Sequence, residues 1–110
     1  MDFFDKNTNT IYFNTKNIVS IRNETNVVIM KPEKVNLPLR PLNQHKITLF
    51  NHTGKSIIID TNSTADLMHS QMFAPMGAKT IFLEDKRMIK FVYLTLPNNT
   101  KFGYWHITIG

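Results

Sequence analysis

From Lys46 onward, short runs of β-branched and aromatic residues alternate with clusters of turn-forming residues, and no run is long enough for an amphipathic helix of ordinary length. The runs are Lys46-Ile47-Thr48-Leu49-Phe50, Ser56-Ile57-Ile58-Ile59-Asp60, Lys79-Thr80-Ile81-Phe82-Leu83, Met88 to Leu96, and Trp105-His106-Ile107-Thr108-Ile109. Branched Cβ atoms pack well on a pleated surface, and Asn and Gly between the runs tolerate the backbone angles of tight turns. The pattern predicts an all-β chain: an antiparallel β-sandwich or small jelly-roll-like barrel. Two hairpins are expected. One joins Lys46–Phe50 to Ser56–Asp60 around Asn51 to Lys55, with Gly54 supplying a positive φ. The other joins Lys79–Leu83 to Met88–Leu96 around Glu84-Asp85-Lys86-Arg87. Pro97 is expected to end the long run, residues 98–103 to loop, and Trp105–Ile109 to close the chain as a strand.

Upstream of this body, residues 1–31 read as a strand-rich N-terminal arm or leader hairpin. Thr10–Phe13, Asn17–Arg22 and Asn26–Met30 are strand candidates, and Ile18 to Met30 could fold back as a hairpin. Pro32, Pro38 and Pro41 remove backbone donors, so residues 32–45 are expected to form an extended crossover leading to a body at 46–110. At 110 residues the chain has room for one domain, burying about two-thirds of its unfolded surface. Residues 61–74 fit a short helix beginning near Ser63 as well as an extended segment; the strand-rich surroundings favour the latter.

Few chemistries are compatible with this composition. Cysteine is absent, which excludes disulfides, thiolate catalysis and a blue-copper site. His45, His52, His69 and His106 lie too far apart to form a local metal-binding pair. Asp60, Asp66, Glu84 and Asp85 match no paired-carboxylate motif, and neither a nucleophile elbow nor a phosphate-cradling glycine loop occurs. We therefore expect no enzyme activity and no cofactor or metal. The first residues lack a basic stretch followed by an apolar run, and no apolar run reaches about 20 residues, so neither a secretory signal nor a membrane span is expected. Asn-x-Ser/Thr triplets at Asn23, Asn51, Asn62 and Asn98 fall in expected turns and are read as unmodified, because a chain rich in Asn and Thr generates them by chance.

The formal net charge is +5. The thirteen Lys and Arg residues are scattered, and only Lys86-Arg87 are adjacent, beside Glu84 and Asp85. Scattered lysines serve solubility and edge protection, which weighs against nucleic acid as a partner. Aromatic residues are the remaining candidates for binding, although core filling is their default role. Phe3, Phe4, Tyr12 and Phe13 cluster near the start, where Phe3 and Phe4 are flanked by Asp2, Asp5 and Lys6. Phe102, Tyr104 and Trp105 cluster near the end and could stack on a sugar.

Lys46 to Leu94 carries a further cadence. A segment Ile47-Thr48-Leu49-x-Asn51-x-x-Gly54-x-x-Ile57-x-Ile59 is followed by Phe73-x-Pro75-x-Gly77-Ala78-x-Thr80-x-x-Leu83. This resembles the small β-sandwich domains of bacteriophage virion accessory proteins, such as capsid-decoration, head-fibre and tail-fibre attachment modules. One departure is the turn Glu84-Asp85-Lys86-Arg87, where fibre modules often place Asp-Gly or Asn-Gly. The resemblance implies a virion structural protein that binds the major capsid protein or neighbouring virion proteins, as a homo-oligomer, from a location on the particle. On that reading Phe3, Phe4, Tyr12 and Phe13 are the expected arm contacts, and Trp105 lies near a packed edge. The alternative is a carbohydrate- or cell-surface-binding module built on Phe102, Tyr104 and Trp105.

Overall fold

A computed structural model of the chain describes residues 4–13, 18–22, 26–32, 41–61, 72–73 and 79–109. Among the described residues there are ten strands: β1 (Phe4–Asp5), β2 (Thr10–Phe13), β3 (Ile18–Ile21), β4 (Ile29–Pro32), β5 (Lys46–Asn51), β6 (Ile57–Asp60), β7 (Met72–Phe73), β8 (Thr80–Leu83), β9 (Met88–Leu96) and β10 (Asn99–Ile109). They form a five-stranded sheet in the order β3-β5-β9-β10-β7, a three-stranded sheet β1-β2-β4 and a two-stranded sheet β6-β8. Among the described residues there is no helix, and the all-β, sandwich-like expectation holds. The question of a helix at 61–74 falls mostly outside the described residues, though Met72–Phe73 are extended.

The alternation within each strand decides which side chains meet. Ile47, Leu49 and Asn51 of β5 are buried while Lys46, Thr48 and Phe50 are not; Ile89, Phe91 and Tyr93 of β9 repeat the pattern. Successive strand residues face opposite sides of a sheet, so this is the signature of one face packed and one face wet. The packed faces of all three sheets meet in one cluster that includes Ile11, Phe13, Ile21, Met30, Leu49, Ile59, Leu83, Phe91 and Trp105. The Cα radius of gyration, 12.9 Å, matches the roughly 13 Å expected of a single body of this length.

Strand pairing differs from the sequence expectation in an informative way. Neither expected body hairpin forms: β5 pairs with β9 and β3, whereas β6 pairs with β8. The chain therefore leaves the large sheet after β5, crosses to the facing layer as β6, and returns from β8 to β9. Residues 18–30 behave likewise, since β3 lies parallel to β5 and β4 parallel to β2. The three- and five-stranded sheets are mixed rather than purely antiparallel, with a third parallel pair in β7 and β10, while the β6–β8 sheet is antiparallel. Among the described residues, strands adjacent in sequence pair only in β1–β2 and β9–β10. The expected loop at 98–103 is instead a bulged start to β10, with the register shifting between Asn99 and Gly103. The described parts of residues 1–31 are built into the body and do not project as an arm. The physical reason is pairing and packing together: β3 hydrogen-bonds to β5, and Phe13 and Met30 are core residues.

The crossing after β5 depends on a buried amide. Asn51 is 0% exposed. Its Nδ2 donates to the carbonyl oxygens of Lys55 at 2.8 Å and Leu83 at 2.9 Å, and its Oδ1 accepts from the Thr53 amide at 3.0 Å and the Thr53 hydroxyl at 2.6 Å. Its backbone completes the join, receiving the Lys86 amide at 2.7 Å and donating to the Arg87 carbonyl at 3.0 Å. The Gly54 amide, at φ 84°, donates to Asp85 Oδ1 at 2.9 Å. The β5–β6 and β8–β9 corners are thereby stitched together. Buried acceptors such as the Leu83 carbonyl are costly to leave without a donor.

Two substitutions test this frame. Asn51→Ala should lower unfolding free energy by about 2–4 kcal/mol, measured by urea denaturation. Asn51→Asp should be worse at pH 7 than at pH 4, since a protonated carboxyl still has one proton to donate, to the Lys55 or the Leu83 carbonyl, whereas a carboxylate donates none and a buried charge is expensive. At Gly103 a Cβ would come within 2.6 Å of the Leu94 carbonyl oxygen and of the Tyr93 ring. Gly103→Ala should therefore cost about 3 kcal/mol by the same assay.

Candidate interaction surfaces

The aromatic residues singled out from sequence divide sharply in space. Phe13 on β2 and Trp105 on β10 are core residues, 1% and 0% exposed. Their rings lie 5.3 Å apart, Tyr93 meets Trp105 edge-on at 5.3 Å, and His45 approaches Trp105 at 6.0 Å and Phe13 at 6.4 Å. This cluster joins the three-stranded sheet to the five-stranded one. Phe13, expected as an arm contact, and Trp105, expected near a packed edge, are both packed into the core, with Trp105 opposite Met72 of β7 at the end of the five-stranded sheet. Tyr12, on the alternate face of β2, is half-buried, and Phe4 is partly buried against the core. Phe3 lies outside the described residues. The proposed stacking platform also loses a member, because Tyr104 and Trp105 are neighbours on one strand and face opposite sides. Tyr104 is half-buried on the outer side.

The described histidines and carboxylates form no common cluster. His52 stacks on Phe50 at 5.9 Å, and His106 is exposed on β10. His69 and Asp66 lie outside the described residues. Among the described residues, no group of three His, Cys, Asp or Glu side chains could hold a metal ion. Asp85 is engaged at the corner by Gly54.

Two surfaces do stand out. The first is the outer face of the two-stranded sheet. Phe82 on β8 is 68% exposed and sits directly opposite Ile58 on β6, with Asp60 opposite Thr80 beside them. A phenylalanine that open on a strand is unusual, since burial of its side chain is worth about 1.5–3 kcal/mol.

The second is the outer face of the five-stranded sheet, which the register lays out row by row. Ile18, Thr48, Lys90 and Thr108 form one row across β3, β5, β9 and β10; Ser20, Phe50 and Met88 form the next. On the other side of the first row come Lys46, Val92 and His106, then Leu94 and Tyr104. Lys46, Lys90, His106 and Ile18 are exposed; Phe50, Met88, Val92 and Tyr104 are half-buried. None of the residues in these five strands is Asp or Glu. Sequence reasoning missed this surface because Lys46, Lys90 and His106 are far apart along the chain, and only the β5–β9–β10 register unites them.

Placement of the aromatic residues makes a direct stability forecast. Phe13→Ala should cost about 3–5 kcal/mol, while Phe4→Ala should cost less than half as much, both read from urea midpoints. Equal, small effects would return residues 1–13 to the status of a detachable arm. Comparison with protein-family models, with curated proteins and with solved structures found no match.

Proposed function

We propose that this protein is a structural part of a virus particle: a β-sandwich that decorates the capsid or attaches other virion proteins, working as a homo-oligomer through surface contacts. The reading is supported from sequence by the resemblance of Lys46 to Leu94 to phage virion accessory domains. The single structural observation that carries it is the exposed Phe82 ring, paired across the two-stranded sheet with the half-buried Ile58. An aromatic ring standing clear of the surface and flanked by an aliphatic neighbour is the kind of anchor that interface energetics concentrate on. Partner docking there would bury Phe82 without disturbing the core, because Ile57, Ile59, Ile81 and Leu83 already face inward. Many copies on a lattice would make even a weak anchor effective, since each further contact becomes intramolecular.

Mass spectrometry of purified particles should find the chain in many copies. Phe82→Ser should remove it from particles, with the free protein still folded and its unfolding midpoint unchanged or raised. Retention of the Phe82→Ser protein at full copy number would discard this surface as the attachment face, and absence of the natural chain from particles would discard the reading itself.

A further inference from the structure

We propose that the outer face of the five-stranded sheet is a binding site for single-stranded nucleic acid. The proposal is independent of the particle reading, which rests on the other layer of the body. Three features of the face coincide. Its strands contain no carboxylate, and the described acids Asp5, Asp60, Glu84 and Asp85 all belong to the other sheets or to the corner. Its two lysines are brought together by register, with an imidazole beside them: Lys46 lies opposite Val92, His106 flanks Val92 on the other side, and Lys90 is two residues further along β9. With strands about 4.8 Å apart and about 3.4 Å of rise per residue, Lys46 and Lys90 stand roughly 8 Å apart at their Cα atoms. A polyanion crossing the strands meets both, and field lines from strands that carry no carboxylate favour its approach.

The third feature selects the polyanion. Phe50 and Tyr104 place rings on this face on either side of the two lysines, and the exposed His52 ring lies almost parallel to Phe50, at 21°. Flat rings among cations suit unpaired bases, every one of which has a π-face to stack, whereas an acidic peptide has no use for them. Ser20, Thr48 and Thr108 supply hydroxyl donors of the kind that position phosphates. The site is an open sheet surface, so sequence preference should be weak and salt dependence marked.

Fluorescence anisotropy with labelled oligothymidylate and the full chain tests the proposal. The Lys46→Ala/Lys90→Ala protein should bind at least tenfold more weakly. Its log–log salt slope should be smaller by about 1.4, at about 0.7 per phosphate contact on single strands. A control with the same charge change, Lys55→Ala/Lys86→Ala at the corner, should bind nearly as the natural chain does. Phe50→Leu, which keeps apolar bulk but removes the ring, should weaken binding about tenfold with the salt slope unchanged. Circular dichroism and urea midpoints establish that each variant is folded. Three results would each overturn the proposal: no binding at low salt, equal losses in the control pair, or polyglutamate bound as tightly as oligothymidylate with Phe50→Leu without effect.

Discussion

The fold turns on one amide. Asn51 sits where β5 must stop pairing with β9 and pass into the facing layer, and a chain making that turn exposes carbonyl groups that no strand partner can satisfy. The Asn51 side chain caps its own corner through Thr53 and Lys55, and reaches the Leu83 carbonyl in the returning strand. Hydrogen bonds of this type add only about 1 kcal/mol each when made. Their leverage comes from the penalty for leaving buried acceptors unmet, which falls on both crossings together. Asp85 adds the reciprocal tie, accepting from Gly54 across the same corner.

Given that corner, the rest of the architecture follows. Strands that alternate between layers bring segments next to each other that run in the same direction, which is why β2 and β4, and β3 and β5, pair in parallel. A hairpin would have joined its two strands through hydrogen bonds within one sheet. A crossing joins them instead through side chains, so Ile47 and Leu49 and the residues Ile57 and Ile59 belong to one core from opposite layers. The ring cluster of Phe13, His45, Tyr93 and Trp105 does the same work away from the corner, using dispersion and ring geometry where the corner uses hydrogen bonds.

This division explains what was legible in the sequence. Strand positions and the all-β class were readable because period-two alternation is local: Ile57 and Ile59, or Ile89 and Phe91, announce a buried face without reference to any partner. Pairing was not readable. The segment Asn51 to Lys55 has the composition of a hairpin turn, and the same residues suit a layer crossing, because both need a positive φ at Gly54 and local side-chain caps. The one local hint was Asn51 itself, last in the alternating series after Ile47 and Leu49 and so aimed at the core. For Trp105 the signal is parity alone, since its sequence neighbours Tyr104 and His106 face out and only its match with Ile107 points in. The interaction surfaces were the least legible part, because a face is defined by register and the register was set by crossings.

Register is also what gives the surface its physical character. The thirteen basic residues look dispersed along the chain, and dispersal ordinarily dilutes an electrostatic field over the whole molecule. Folding brings two of them, Lys46 and Lys90, onto one face. Of the described acids, Asp60 and Glu84 go to the two-stranded sheet or its end and Asp85 is tied into the corner, so the outer face of the five-stranded sheet presents Lys46, Lys90 and His106 among half-buried rings. With the largest aromatic side chains already committed to the core, Phe50, Tyr104 and Phe82 are the rings left with exposure to offer among the side chains of the two outer faces described. They stand on opposite layers, two with cations and one with aliphatic and acidic neighbours, so a partner that suits one face is poorly matched to the other. A partner seated on one face would therefore leave the other layer open, since Phe82 belongs to the two-stranded sheet and Phe50 and Tyr104 to the five-stranded one.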